Sequence, residues 1–361
     1  MARLRLRALW RTVHLWIGVA LFLVLAPLGV TGSVLVYDDQ IDAVMHPQRH
    51  AASGPAVLNP GAYVQAAGEA FGDRARPAQL RLPQGPQGGP VIVQGGPLTA
   101  WLDPATGRVL DVAAPRQELR GMVHQLHGNL FMAQTGRRLV GWLGLFMLIS
   151  CVSGLIPWWP RGAFAKGFAW RRAPTAWSNL HHMAGFWVCV PLALLSFTGA
   201  AIAFPEAVRA VSGAAAPAQN PRPGDAVLAA PRLGVDAAVA AALAASGPGK
   251  VQQVNLPAPG KRPGWRVQLR GDKGALQVRV DDATGKAEVR PAPPQGRGGG
   301  DPLMRLMRQV HDGDDTSPVW QAIIAAAGLA PALLGVTGTV LWLKRRRRRV
   351  AALEPAMASR S

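Results

Sequence analysis

Residues 127–158 read HGNLFMAQTGRRLVGWLGLFMLISCVSGLIPW, and residues 311–342 read HDGDDTSPVWQAIIAAAGLAPALLGVTGTVLW. At a constant displacement of 184 residues, His127 meets His311, Gly144 meets Gly328, Leu145 meets Leu329, Val152 meets Val336, Gly154 meets Gly338, Trp158 meets Trp342 and Arg161 meets Arg345. Among 41 glycines a glycine match decides nothing. The 8 histidines and 12 tryptophans are scarce enough for paired matches at one displacement to indicate duplication.

Working outward, a displacement of 167 brings His14 onto His181, Gly18 onto Gly185, Leu25 onto Leu192, Leu28 onto Leu195, Thr31 onto Thr198 and Gly32 onto Gly199. Between these segments Asp103-Pro-Ala-Thr-Gly107 corresponds to Asp281-Asp-Ala-Thr-Gly285 at a displacement of 178. The displacements rise along the chain, as one duplicated unit with loop insertions requires.

Four stretches, residues 15–37, 139–158, 182–204 and 319–343, contain no Lys, Arg or Glu. Each has the roughly 20 residues a helix needs to cross a bilayer. The first follows a basic start, yet its apolar part is too long for a cleaved signal and no A-x-A site follows. Arg3, Arg5, Arg7 and Arg11, then Arg161, Lys166, Arg171 and Arg172, then residues 344–349, place both termini and the middle loop in the cytoplasm by the positive-inside rule. The formal charge of +19 is therefore largely topogenic and lipid-facing, and a nucleic-acid role is not expected.

The predicted fold class is an α-helical membrane protein. It has four transmembrane helices from two parallel repeats, each repeat carrying an extracytoplasmic α+β lobe. Its segments are 1–37, 38–123 (first lobe), 124–158, 159–180, 181–204, 205–310 (second lobe), 311–343 and 344–361. In the first lobe residues 38–60 read as a membrane exit and linker, 62–71 as a helix, and 79–82, 90–94, 99–102 and 109–112 as strands. Gly107 supplies the positive φ of a hairpin turn. In the second lobe residues 235–245 read as a helix and 251–256, 265–269 and 275–280 as strands. Lobes of about 60 residues are small for independent stability, so each is expected to pack on its twin or on the membrane face. Cys151 and Cys189 both fall inside spans, which leaves the lobes without a disulfide.

All four spans carry a small residue followed by glycine: Thr31-Gly32, Ser153-Gly154, Thr198-Gly199 and Thr337-Gly338. Close helix packing is one reading, and a flat cofactor lying on the backbone is the other.

The repeat sorts the histidines. His14 and His181 match, as do His127 and His311, while His46, His50, His124 and His182 fall opposite other residue types. About 30 Å of hydrocarbon separates His14 from His127, so the available pairs are His14 with His181 and His127 with His311. A lone interfacial histidine is ordinarily an amphipathic anchor. Two imidazoles at one depth, with no Cys, Asp or Glu converging on them, suit the axial positions of a haem iron better than a zinc site. The expected cofactor is haem b, one bis-His site near each face, without covalent attachment because no C-x-x-C-H occurs. His124 and His182 are the substitutes if the register differs. Arg11, Arg171 or Arg172 on one side, and Arg137, Arg138 or Arg308 on the other, are placed to meet the propionates. Trp16, Phe22, Trp142, Phe146, Phe186 and Trp187 lie between the sites, as packing or as stepping points for electrons. No nucleotide-binding motif appears, so electrons would come from a membrane quinol or a separate cytosolic reductase.

These residues resemble the PepSY-associated transmembrane family, also labelled iron-regulated membrane proteins. The resemblance covers nearly the whole chain. It rests on the His-x-x-x-Gly openings at His14 and His181, the His127 and His311 segments, the Thr-Gly pairs and the Asp-x-Ala-Thr-Gly turns. Gly128 departs from the pattern, which has a basic residue after the histidine. The resemblance implies a ferric-siderophore reductase of the bacterial inner membrane. His14, His181, His127 and His311 would hold haem, and a ferric siderophore or other ferric chelate would be the substrate. The alternatives are a membrane-anchored PepSY binding or protease-inhibitory module, and an accessory subunit of an uptake transporter.

Overall fold

A computed structural model describes residues 2–84, 88–158, 175–214, 227–260, 262–271, 274–292 and 301–358. The chain divides into two compact units: Met1–Tyr37 with Val123–Ala215 and Asp301–Ser361, and Asp38–Met122 with Ala216–Gly300.

The first unit is built on α1 (Ala2–Leu35), α5 (Ala133–Trp158), α6 (Ala176–Ala203) and α10 (Pro318–Ala358), with the short helices α4 (Leu119–Asn129), α7 (Pro205–Ser212) and α9 (Pro302–Asp312). Four segments, Ala8–Leu35, Ala133–Ile156, Ala176–Ala203 and Pro318–Arg348, are long and apolar enough to cross a membrane. In hydrocarbon a backbone must satisfy its own polar groups, and a continuous helix does so within one segment. The helices outrun the apolar stretches: α5 starts at Ala133, six residues before the expected 139, so Arg137 and Arg138 lie inside it. Helix formation continues until backbone pairing fails, whereas the apolar stretch ends at the first charge. At the other end of the bundle the Lys344 ammonium lies 5.9 Å from the Trp177 ring centre.

Helix α1 packs along α5 and α10, and α6 packs along the same two, which closes a ring with α1 and α6 on one diagonal. Glycine permits the tightest crossing. A Cβ on Gly328 would stand 2.7 Å from the Gly29 carbonyl oxygen and against the Ser33 hydroxyl. Ser33 in turn donates to the Ala325 carbonyl at 2.7 Å. Gly328→Leu should therefore force α1 and α10 apart at a cost of about 1–3 kcal/mol, the usual range for overpacking. The measurement is the thermal unfolding midpoint in detergent, and an unchanged midpoint would contradict this crossing.

The second unit holds one antiparallel sheet of order β4-β3-β2-β1-β5-β6-β7-β8. The strands are β1 (Gln79–Arg81), β2 (Val91–Gly95), β3 (Leu98–Leu102), β4 (Val109–Ala113), β5 (Lys250–Asn255), β6 (Gly264–Gly271), β7 (Gly274–Asp281) and β8 (Ala287–Pro291). The two expected lobes are thus joined edge to edge, with Leu80 opposite Val254 where β1 meets β5. Helices α3 (Pro60–Phe71) and α8 (Val235–Ser246) supply Tyr63, Phe71, Ala238 and Ala242 to a core shared with Leu80, Val93, Val254, Trp265 and Val267. Both Asp-x-Ala-Thr-Gly segments form tight turns, with φ +72° at Gly107 and +69° at Gly285. The Asp103 carboxylate accepts from Thr106 Oγ1, Ser53 N and Ser53 Oγ, which together hold it down at about 2.

Residues 38–59 are more than a linker. They contain helix α2 (Asp38–Met45) and a 3-10 turn at Pro47–His50 that carries Arg49 inward. Arg49, 2% exposed, bonds Asp111 at 2.6 Å, Asp42 at 3.3 Å and Glu118, and its guanidinium stacks 4.1 Å from the Trp101 ring centre. Arg120 adds contacts to Asp38 and Asp39 at 2.9 and 2.7 Å.

Candidate functional site

Four histidines and four small-Gly pairs combine one to one. His14 on α1 sits on Ser153-Gly154 of α5, and His181 on α6 sits on Thr337-Gly338 of α10. His127 on α4 sits on Thr31-Gly32 of α1, and His311 on α9 sits on Thr198-Gly199 of α6. A Cβ on Gly32 or Gly199 would lie 2.8 Å from the Cε1 of its histidine, and one on Gly154 or Gly338 would lie at 3.0 or 3.2 Å. The glycines are seats for imidazole rings. Neither reading of the small-Gly pairs anticipated this, although four pairs for four matched histidines was the available signal.

Each seat also fixes a tautomer. His14 Nδ1 lies 3.0 Å from the Ser150 carbonyl oxygen, His127 Nδ1 2.8 Å from that of Leu28, and His311 Nδ1 3.0 Å from that of Leu195. A carbonyl only accepts, so Nδ1 carries the proton in all three. His181 Nδ1 lies 2.8 Å from Thr337 Oγ1, whose own proton goes to the Leu333 carbonyl at 2.9 Å, so here too Nδ1 donates. Every Nε2 keeps a lone pair, the arrangement a metal-ligating histidine needs.

The seats bring the histidines together in the expected pairs. Ring centres are 6.2 Å apart for His14 and His181, with planes at 74°, and 6.1 Å apart for His127 and His311, with planes at 39°. Two imidazole–metal bonds of about 2 Å, plus roughly 1 Å from each nitrogen to its ring centre, place two rings on one metal about 6 Å apart. Along α1, His14 and the His127 seat at Gly32 are 18 residues apart, about 27 Å of helix rise.

The backbone beside one pair of rings is open. One turn after His14 and His181, on the same helix faces, stand Gly18 and Gly185. A Cβ on Gly18 would meet nothing within 4 Å, and one on Gly185 only Leu334 Cδ2 at 3.8 Å. Burial pushes His127 and His311 down to about 4, helped at His127 by the facing His311, so both are neutral at physiological pH. Neutral imidazole is the ligating form.

The other predicted residues take outer positions. His182 lies beside His181 at 6.2 Å between ring centres, but consecutive residues on a helix point about 100° apart, so it does not join that pair. His124, one turn before His127 on α4, acts on it electrostatically and is not the partner of His311. The Nε atoms of Arg137 and Arg308 are buried with no hydrogen-bond partner, donors that a bound carboxylate would complete. Arg138 and Arg11 are exposed, and Arg161, Lys166, Arg171 and Arg172 lie outside the described residues. Among the described residues Asp42, His46 and Glu118 also bring ligand atoms within 4.8 Å of one another. Arg49 already holds both of those carboxylates, which marks the group as an ion-pair network.

Four apolar helices that frame two seated imidazole pairs, with a separate β-sheet unit, define a multi-pass membrane protein. The family model of the PepSY-associated TM region matches residues 11–348, and the chain belongs to that family. No curated protein matches the chain.

Proposed function

We propose that the protein is a haem-dependent electron conduit of the bacterial inner membrane that delivers electrons to an extracytoplasmic ferric chelate, as in siderophore-linked iron uptake. In this reading His14 with His181, and His127 with His311, would hold the haem iron through their Nε2 atoms. Bound between each pair, haem b would supply a one-electron Fe(III)/Fe(II) couple. The carrying observation is the spacing of the two pairs with all four Nε2 lone pairs free.

The chain's own contribution is to hold each imidazole by a carbonyl or hydroxyl on the neighbouring helix, so that ring orientation is fixed before any ligand arrives. Arg137 and Arg308 would orient the propionates. In this reading the chain is a duplicated unit, α1/α6, α4/α9 and α5/α10 being counterparts, with the termini cytoplasmic and the sheet outside. The mirrored strand order supports it. The electron donor would be a quinol or a cytosolic reductase. Release of iron follows because Fe(II) is held less tightly than Fe(III) by hard oxygen donors.

An absorption spectrum of protein purified from haem-replete cells tests the proposal. Expected are a Soret band and sharp α and β bands on reduction, with two haems per chain. A colourless, folded preparation would end the reading in favour of a passive anchor for the sheet.

A further inference from the structure

The sheet ends differently at its two edges. At one, the 3-10 turn lies against β4, and its Arg49 bonds Asp111 at 2.6 Å. At the other, β8 is the last strand, and among the described residues no further strand pairs with it. Val289 is 42% exposed there, beside the exposed side chains of Glu288 and Arg290. The Ala292 N–H donates to the Ala275 carbonyl at 3.0 Å and the Asp281 N–H to the Lys286 carbonyl at 2.9 Å, so the even-numbered residues along β8 exchange their bonds with β7. Ala287, Val289 and Pro291 therefore turn their backbone groups outward. An outward row of this kind is a template for another strand.

That edge is complementary to itself. Charges and a proline ordinarily blunt an edge strand, but the order of these charges favours one particular neighbour. If a second β8 is laid antiparallel with Val289 facing Val289, Glu288 stands opposite the second copy's Arg290, and Arg290 opposite its Glu288. Each strand already pairs Glu288 with Arg290 at 3.1 Å, and the two pairs then close into a ring of alternating sign. Arg279, opposite Glu288 on β7, continues the alternation. The backbone agrees with this register. Each Val289 N–H donates to the other's Val289 carbonyl, and each Ala287 N–H reaches the other's Pro291 carbonyl, while Pro291 itself has no N–H to give. The join of β1 to β5 inside the chain has the same antiparallel geometry, with Leu80 opposite Val254.

The helix over this edge points to the same partner. Helix α8 packs on β7 and β8, and a two-fold axis normal to the sheet would bring a second α8 alongside it on the same face. On that face α3 turns Gln65 and Glu69 to solvent, whereas α8, after Asp236, turns Ala237, Ala240, Ala244 and Ala245 outward. A helix apolar on all sides is ordinarily covered on all sides. We propose that β8 is the contact between two copies of this chain, joining their sheets into one antiparallel sheet across an axis at Val289 and screening the alanine flanks of α8. So short a strand supplies few bonds. Confinement of both copies to one bilayer raises their local concentration and makes up the difference. Nothing in this contact depends on haem.

Two differently tagged copies of the full chain, expressed together, should co-purify from the membrane. Glu288→Arg in both copies sets cations against each other across the axis and should reduce co-purification about fivefold or more, and Arg290→Glu in both should do the same with anions. Pairing one copy that carries Glu288→Arg with one that carries Arg290→Glu restores opposite signs at every position. That mixture should recover co-purification, which also shows that neither change has merely frayed β8. Val289→Cys should give a disulfide-linked dimer on mild oxidation of membranes, because the Cα atoms of a hydrogen-bonded antiparallel pair lie about 5.5 Å apart, within disulfide reach. Wild-type copies that stay apart, single variants that co-purify as wild type does, a mixed pair that does not recover, or a Val289→Cys chain that does not cross-link would each overturn the proposal. A β8 edge occupied by a strand of some other protein would give the first of these results.

Discussion

If the protein is the haem conduit proposed above, replacing His14 with alanine should lower haem content from two per chain to one. His181→Ala should remove the same haem, so the double variant His14→Ala/His181→Ala should again retain one. His127→Ala and His311→Ala should each remove the other. The non-additivity follows from geometry: the two rings of a pair face each other with centres 6.2 or 6.1 Å apart, so in the proposed conduit both would hold one haem, and the pairs are about 27 Å of helix rise apart. A pyridine haemochrome assay against protein concentration reads the count directly. Retention of both haems by all four single variants would remove the imidazoles from the site. Gly18→Leu should deplete the His14–His181 haem without touching either ring, since it fills space that is open beside them.

The second large effect lies in the sheet unit and should leave haem content unchanged. Arg49→Ala withdraws the guanidinium that bonds Asp42, Asp111 and Glu118 together, and strips a stacked cation from Trp101. Removing one partner from a buried ion pair costs about 3–5 kcal/mol, because the remaining charge is left uncompensated. The carboxylates of Asp111 and Glu118 are 23% and 22% exposed, so water reduces the penalty toward the lower end, about 3 kcal/mol. For a unit of this size that corresponds to a fall in unfolding midpoint on the order of 10 °C. Arg49→Lys should recover only part of it, since an ammonium cannot form the fork. A midpoint within a degree of wild type would show the cluster to be dispensable.

The histidine pairs were legible because residues matching at a constant displacement mark them and histidine is scarce. Their seats were half legible: Ser153-Gly154 and its three counterparts stood out, but which ring each would receive depends on helix packing that no spacing encodes. Arg49 was invisible, since its partners lie 7, 62 and 69 residues away in sequence. Strand β8, Ala287–Pro291, was missed because its alternation, Ala-Glu-Val-Arg, spans only four residues and ends in proline. Packing of each lobe on its twin was one of the two expectations, but its form as one continuous sheet was not, as β1 is three residues long and only its pairing with β5 reveals it as the centre of the sheet.

That pairing constrains synthesis. Gln79 meets Asn255, so when the first four strands leave the ribosome their neighbour has not been made, and α5 and α6 must be inserted before it is. Until then β1 presents an open hydrogen-bonding edge to whatever other chain is near. A gene cut between α5 and α6 would encode two fragments, each with an unfinished half-sheet, whose yield should depend on being expressed together.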